Sequence, residues 1–284
     1  MDWLDALQRL RDARTPAVVV TLAMVRGHAP RNGGAKMVVS PGDAFGTIGG
    51  GNLEATAVAR AQVMLASGAA EPELLTLTLS DKAGTDYGVQ CCGGEVTLLL
   101  EPVRVVPSVA VFGIGHVGLE LARILARQSL ALHLVDSRAD MLAAARLAPL
   151  ADAVAEVHVH HAPVPEAVLR DVPPGTHVLV MTHDHAEDLA IVDQALRTDG
   201  VASIGLIGSR SKWSRFRAKL TDAGHDEDAL ARVTTPIGLP GLTGKQPATI
   251  AVSVAAGILQ LIEQAATTGP PLPVRERAKR DDTP

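Results

Sequence analysis

The sequence predicts an α/β protein in which an N-terminal mixed α/β domain precedes a doubly wound parallel sheet domain. Three observations carry that expectation. From Val109 onward, strand-like runs alternate with helix-like segments, as a parallel sheet with crossover helices requires. A G-x-G-x-x-G run, "GIGHVG" at 113–118, joins the first of those strands to the first of those helices. The residues before it mix β-branched runs with amphipathic stretches but lack that regular alternation, which marks a separate unit.

In order, "MDWLDALQRLRDAR" is amphipathic and carries Asp2, Asp5 and Asp12, so it reads as a surface helix. "PAVVVTLAMVRG" is a strand, "HAPRNGGAK" a loop, "KMVVS" a second strand, and "GDAFGTIGGG" a turn followed by a glycine run. "NLEATAVARAQVMLASG" has helical spacing, with Asn52 as its N-cap and Gly68 as its stop. "ELLTLTLS" alternates as a strand does, "DKAGTDYGVQCCGG" is a loop, and "EVTLLLEPV" is a further strand. Two prolines flank the connector "PVRVVPS", so the domains are expected at 1–102 and 103–266, followed by a charged, proline-rich disordered tail at 267–284. In the second domain "VAVFGIG", "LALHLVDSR", "AVAEVHVH", "THVLVMTH" and "VASIGLIGS" read as successive strands.

The longest apolar run, "TIAVSVAAGILQLI" at 249–262, is short for a bilayer and reads as a buried helix, so no integral membrane segment is expected. Its small residues Ala251, Ser253, Ala255 and Ala256 permit close packing on its own sheet or, in a homodimer, on a second subunit. Only 2% of the 284 residues are aromatic and the net charge is −5, which argues against a nucleic-acid partner. With two cysteines and no secretory leader at its start, the chain is expected to be cytoplasmic and free of structural disulfides.

The glycine run has a distinct physical use at each position. Gly113 allows a tight turn, Gly115 lets a phosphate approach the backbone, and Gly118 lets helix and strand pack closely. Asp136 ends the next strand, where a carboxylate would bond a ribose hydroxyl, and His116 would stand at the helix N-terminus beside any anion. This second domain is therefore expected to be Rossmann-like, and whether it also holds a nucleotide or NAD(P) is left open. Ligands of such sheets bind at the carboxyl ends of the strands. There "MTHDHAED" places His183, Asp184, His185 and Asp188, as a metal site whose H-x-H-x-x-D spacing nearly matches a hydrolase motif, a proton relay, a polar wall or helix caps. "GLIGSRSKWSRF" places Ser209, Arg210 and Lys212, as phosphate donors or as a capped helix start. His158 and His160 share a face of a strand and read as surface residues.

The only two cysteines, Cys91 and Cys92, are neighbours in "GVQCCGGEV". A disulfide between them would close a strained ring, and on extended backbone they point to opposite faces. Beside two glycines, one thiol could be presented as a soft ligand. Two further segments look prepared for an anion: His28, Arg31 and Lys36 among glycines, and Gly49, Gly50 and Gly51 ahead of a helix. Together they suggest a ligand both anionic and thiophilic.

"GHAPRNGGAKMVVS", "GTIGGGNLEA", "QCCGGEV", "VFGIGHVGLELA", "THDHAEDLAIVDQAL", "IGLIGSRSKWSRF" and "PIGLPGLTGKQPATIAVSVAAGILQ" resemble, in that order, the motifs of the xanthine dehydrogenase accessory protein family, XdhC/CoxI. The resemblance runs from about residue 15 to residue 262. It implies a chaperone in metalloenzyme assembly rather than an enzyme with turnover. Such a protein holds molybdenum cofactor, a pterin with a phosphate and a dithiolene, while a cysteine desulfurase supplies sulfur. It then passes the cofactor to an apo molybdenum hydroxylase of the xanthine dehydrogenase type. The family's thiol falls on Cys92, a soft ligand to molybdenum; Cys91 matches only some relatives. The competing expectations are an NAD(P)-dependent oxidoreductase, with His183 or His185 as proton donor, and a nucleotide-sensing module.

Overall fold

The computed structural model describes residues 1–79 and 94–267. Cys91, Cys92 and the tail expected to be disordered lie outside them, apart from Thr267. The chain divides into two units, Met1–Val105 together with the segment from Glu263, and Val106–Ile262.

In the first unit, α1 (Trp3–Asp12) is followed by β1 (Ala17–Arg26), β2 (Lys36–Val39), β3 (Ala44–Gly46), α2 (Gly51–Ser67), β4 (Glu73–Leu79) and β5 (Gly94–Val103). The strands form one antiparallel sheet in the order β3-β2-β1-β5-β4. The Val-rich β1 is central, and each face of the sheet carries a helix. Val18, Val20 and Leu22 face α2 through Leu53, Ala57, Ala61 and Met64. Ala17 and Val19 face α1 through Leu10, Leu7 and Trp3. A strand covered on both faces reads as an unbroken apolar run rather than an alternating one. β4 is an edge strand and alternates, with Leu74 exposed between residues that pack inward.

The second unit runs β6 (Ser108–Phe112), α3 (His116–Leu125), β7 (Ala131–Asp136), α4 (Ala144–Leu147), β8 (Glu156–His161), β9 (Thr176–Val180), α5 (His185–Arg197), β10 (Ser203–Leu206), α6 (Arg210–Asp222), α7 (Glu227–Ala231), β11 (Val233–Thr234) and α8 (Pro247–Thr267) as far as Ile262. Its six parallel strands lie in the order β11-β10-β9-β6-β7-β8. Numbered within the unit, that is the 3-2-1-4-5-6 order of a Rossmann sheet, whose ligand crevice opens where the order reverses, between β6 and β9. Val109 and Val111 face α3 and α8, while Ala110 and Phe112 face α5 and α6. The core is almost wholly aliphatic, as the scarcity of aromatics requires.

Three expectations are corrected here. Asn52 does not cap α2: the helix begins at Gly51 with Gly50 as N-cap, because the glycines adopt positive φ and Glu54 draws the preceding backbone in. The short strands β3 and β11 went unread, since three and two residues leave no periodicity to detect. The apolar run forms a helix of 21 residues, longer than 249–262. Pro247–Ala265 is long and apolar enough by composition to cross a membrane. In this fold one face of it, with Ala251, Val254, Ala255 and Ile258, packs into the core, and Val252 and Leu261 are exposed at 53% and 41%.

Candidate functional site

At Gly113 and Gly118 the glycine loop does the packing expected of it, and at Gly115 it leaves an open position. Gly113 has φ 98°, and its N–H donates to Val135 O at 2.8 Å, tying β6 to β7. A Cβ there would lie 2.5 Å from Met181 O, so only glycine lets the end of β6 pass the end of β9. A Cβ on Gly118 would fall 2.0 Å from Gly113 O, so α3 approaches the loop as closely as glycine permits. Around Gly115 there is nothing within 4 Å of a Cβ position. That open position borders a cleft of about 450 Å³ lined by Gly115, His116, Val117, Arg138, Met141, Arg146, Met181, Thr182, His183, Ile207 and Pro247. The lining comes from the strand ends of β6, β7, β9 and β10, together with the start of α8.

Asp136 closes this loop from below. It is 1% exposed, and its Oδ2 accepts the Ile114 N–H at 2.7 Å. Oδ1 accepts the Arg138 N–H at 3.0 Å, and the Arg138 guanidinium adds Nε to Oδ1 at 2.9 Å and Nη2 to Oδ2 at 3.0 Å. Burial acts to raise the Asp136 carboxyl, but the hydrogen bonds from Arg138 and Ile114 outweigh it and hold it below the usual carboxylate range. The carboxylate expected to meet a ribose hydroxyl is therefore turned toward the chain, and Arg138 stands at the cleft in its place. Arg146 donates from Nη2 to Ile114 O at 3.2 Å, and its buried Nε has no partner among the described residues.

The other residues of the crevice divide. His116 and His183 both line the cleft. Asp184 is the N-cap of α5, accepting from Ala186 N–H at 2.6 Å and Glu187 N–H at 3.0 Å, and these bonds depress its carboxyl. His185 packs edge-on against Phe216, 6.2 Å between ring centres. Ser209 caps α6 by accepting the Lys212 N–H at 3.2 Å, and Arg210 is exposed beside it. Lys212, read from sequence as a phosphate donor, is instead buried. Its Nζ donates to Asp188 Oδ2 and, at 2.9 Å, to Ile207 O. Asp188 also accepts from Thr182 N–H at 3.0 Å and Thr182 Oγ1 at 2.8 Å. This pair fastens together the residues that leave β9 and β10.

In the first unit, Gly49 and Arg31 come together: a Cβ on Gly49 would lie 2.4 Å from Pro30 Cγ and 3.6 Å from Arg31 Cγ. The amides expected to await an anion are already engaged. Glu54 Oε1 accepts N–H bonds from Ile48, Gly49 and Gly50 at 3.0, 3.1 and 2.8 Å, and a hydrogen bond from Thr47 Oγ1. Burial works to raise the Glu54 carboxyl, and these bonds hold it low. Gly51 follows as the first residue of α2. Lys36 turns to the α1 face, donating to Thr21 Oγ1 at 2.6 Å beneath the Trp3 ring, away from the glycine run. Gly94, the first described residue after the cysteines, is pressed against the loop at His28: a Cβ there would lie 2.2 Å from His28 O.

Sequence reading missed Arg138, Arg146 and His133. Arg138 was within reach, two residues past Asp136 in "VDSRAD", whereas Arg146 follows a stretch with no strand or helix period. His133 carries the pair read as surface: its ring stacks on His158 at 4.7 Å, and its Nδ1 lies 3.1 Å from His160 Nε2.

The family models agree with this architecture. Residues 109–258 match the family model of the XdhC Rossmann domain, and residues 10–78 that of the XdhC and CoxI family. An uncharacterized protein of Escherichia coli K12, YqeB, is 27% identical over 261 residues; the match spans 92% of this chain but 46% of YqeB, less than half of that protein. Among solved structures, a Bacillus halodurans protein described as a xanthine dehydrogenase is 20% identical, with coverage of 93% of this chain and 96% of that one and a TM-score of 0.47. The tRNA N6-threonylcarbamoyladenosine dehydratase of Escherichia coli is 16% identical, covering 56% of this chain and 87% of its own, with a TM-score of 0.41. On the strength of a family model that covers more than half of its residues, this chain belongs to the XdhC and CoxI family.

Proposed function

We propose that this protein takes part in maturing a molybdenum hydroxylase of the xanthine dehydrogenase type, as a carrier that holds molybdenum cofactor without turning it over. In this reading Cys92 supplies a soft thiolate, a cysteine desulfurase supplies sulfur while the cofactor is held, and the loaded carrier docks on the apo-enzyme. The observation that carries the reading in the first unit is the packing of Gly94 against His28, with Arg31 beside Gly49. Cys92 precedes Gly94 by two residues in the sequence. The donor chemistry suits the cofactor: a thiol for the molybdenum–dithiolene end, and the Arg31 guanidinium for the phosphate. The amides of Gly49 and Gly50 are committed to Glu54 and take no part. When bound, the cofactor would bring the metal and the site of sulfuration, and the chain's own residues would bind it and shield it from water. Protein purified from a host that makes the cofactor should contain near-equimolar molybdenum and release a fluorescent pterin on oxidation. Metal-free and pterin-free protein from that host would refute the reading.

A second ligand is favoured by the open position at Gly115 in the second unit. We infer that the cleft beside it takes the phosphates of a nucleotide, which would regulate assembly with the partner enzyme. Gly115 offers backbone approach, and the N-terminus of α3 offers favourable charge. If the site instead transferred hydride, His183 in the lining would be the proton donor; His185, packed edge-on against Phe216, is less well placed.

A further inference from the structure

From the Asp136–Arg138 arrangement we infer that the cleft of the second unit selects a dinucleotide bearing an extra phosphate on its adenosine ribose, as in NADP, over the unphosphorylated NAD. This inference rests on the nucleotide reading of that cleft.

In a sheet of this order the adenosine ribose lies against the end of the second strand of the unit, here β7, where a free carboxylate would bond the ribose diol. Asp136 holds that position, but it is buried, and its two oxygens receive four hydrogen bonds from Ile114 and Arg138. A diol offered to it would have to displace one of them. What the strand end presents to the cleft is the Arg138 guanidinium, whose side chain is 31% exposed. Asp136 engages its Nε and Nη2, which orients the group and leaves Nη1 without a hydrogen-bond partner among the described residues.

Arg146 stands in the same lining, anchored by one nitrogen to Ile114 O and with Nε unpartnered among the described residues. His116, Thr182 and His183 complete the polar lining, and among the described residues no carboxylate belongs to it. Asp140 and Glu187 are near enough to favour the Arg138 charge but lie outside the lining. Glu187 is tied to Ser137 at 2.9 Å, and burial raises its carboxyl, which weakens its claim on the guanidinium. Two cationic groups, fixed by the loop they hold and facing a cleft without acids, suit a doubly charged phosphate monoester better than a neutral diol.

Calorimetric titration of the full chain with NADP and with NAD tests this. NADP should bind more tightly by roughly tenfold or more, the discrimination given by a charge-assisted hydrogen bond. Arg138→Gln, made together with Asp136→Asn so that the pair stays neutral and hydrogen-bonded, should bring the two affinities to parity. Equal affinities in the unaltered protein, or a preference that survives the double substitution, would overturn the inference while leaving the nucleotide reading intact. Absence of binding by both dinucleotides at millimolar concentration would overturn both. The comparison in the unaltered protein stands whether or not the variant folds.

Discussion

Asp136 grips Arg138 in a two-pronged ion pair, Nε to Oδ1 at 2.9 Å and Nη2 to Oδ2 at 3.0 Å, while the same carboxylate accepts the Ile114 N–H of the glycine loop. One buried acid thus fixes both the loop and the cation beside the cleft. Replacing it by alanine leaves the Ile114 amide and the guanidinium without their acceptor. Asp136→Ala should cost about 1–3 kcal/mol or more, read as a lower urea midpoint at neutral pH. The carboxyl is held below its unfolded value, so its contribution is complete above about pH 4 and fades as pH falls through the folded value. Asp136→Asn should therefore show a shallower loss of stability on acidification than the unaltered chain; parallel curves would deny the carboxylate this role.

The three glycines of the loop should separate under substitution. Gly118→Ala drives a methyl to 2.0 Å from Gly113 O and should destabilise the protein by about 1–3 kcal/mol or more. Gly115→Ala meets open space at φ −70°, so its thermal midpoint should stay near that of the unaltered protein while nucleotide affinity falls. Thermal melts and titration with a nucleotide check both. An equal loss of stability at the two positions would contradict the assignment.

The Asp188–Lys212 pair is almost wholly buried, with side-chain exposures of 1% and 8%. Removing one partner strands the other's charge. Lys212→Met should cost about 3–5 kcal/mol, and the further change Asp188→Asn should recover part of it. A double variant no more stable than Lys212→Met in urea would show that the carboxylate is not the stranded group.

His177 and His160 should make the fold sensitive to mild acid. Burial lowers the pKa of His177; burial, then the charge of His158, lowers that of His160, with Asp171 pulling the other way. Above about pH 6.5 both states are neutral and stability is complete. As pH falls below that, the unfolded chain takes protons first and stability drops until the folded rings also protonate. Urea midpoints should therefore fall between pH 7.5 and 5.5, and His177→Gln should flatten the fall. A slope unaffected by the substitution would clear His177.

The second unit was legible because its signals are local and redundant. Most strands are followed by a helix, and Gly113, Gly115 and Gly118 have the spacing of a strand-to-helix glycine turn. What escaped depended on partners distant in sequence. Asp136 reads as a ribose ligand until Ile114 and Arg138 are seen to occupy it. Lys212 reads as a phosphate donor until it is found buried against Asp188, and the amides of Gly49 and Gly50 read as free until Glu54 folds back on them. Lys212 and the glycine amides are groups that suit an anion, and Asp136 is one that suits a hydroxyl. Which partner each takes is decided by other groups of the chain, and that competition has no linear signature.

Molybdenum content after matched substitutions is the sharpest check on Cys92 as the proposed thiolate that holds the cofactor. Protein with Cys92→Ser, purified in parallel with Cys91→Ser and the unaltered chain from a cofactor-producing host, should lose its molybdenum while the other two keep it. Equal molybdenum in the Cys92→Ser protein would contradict the account.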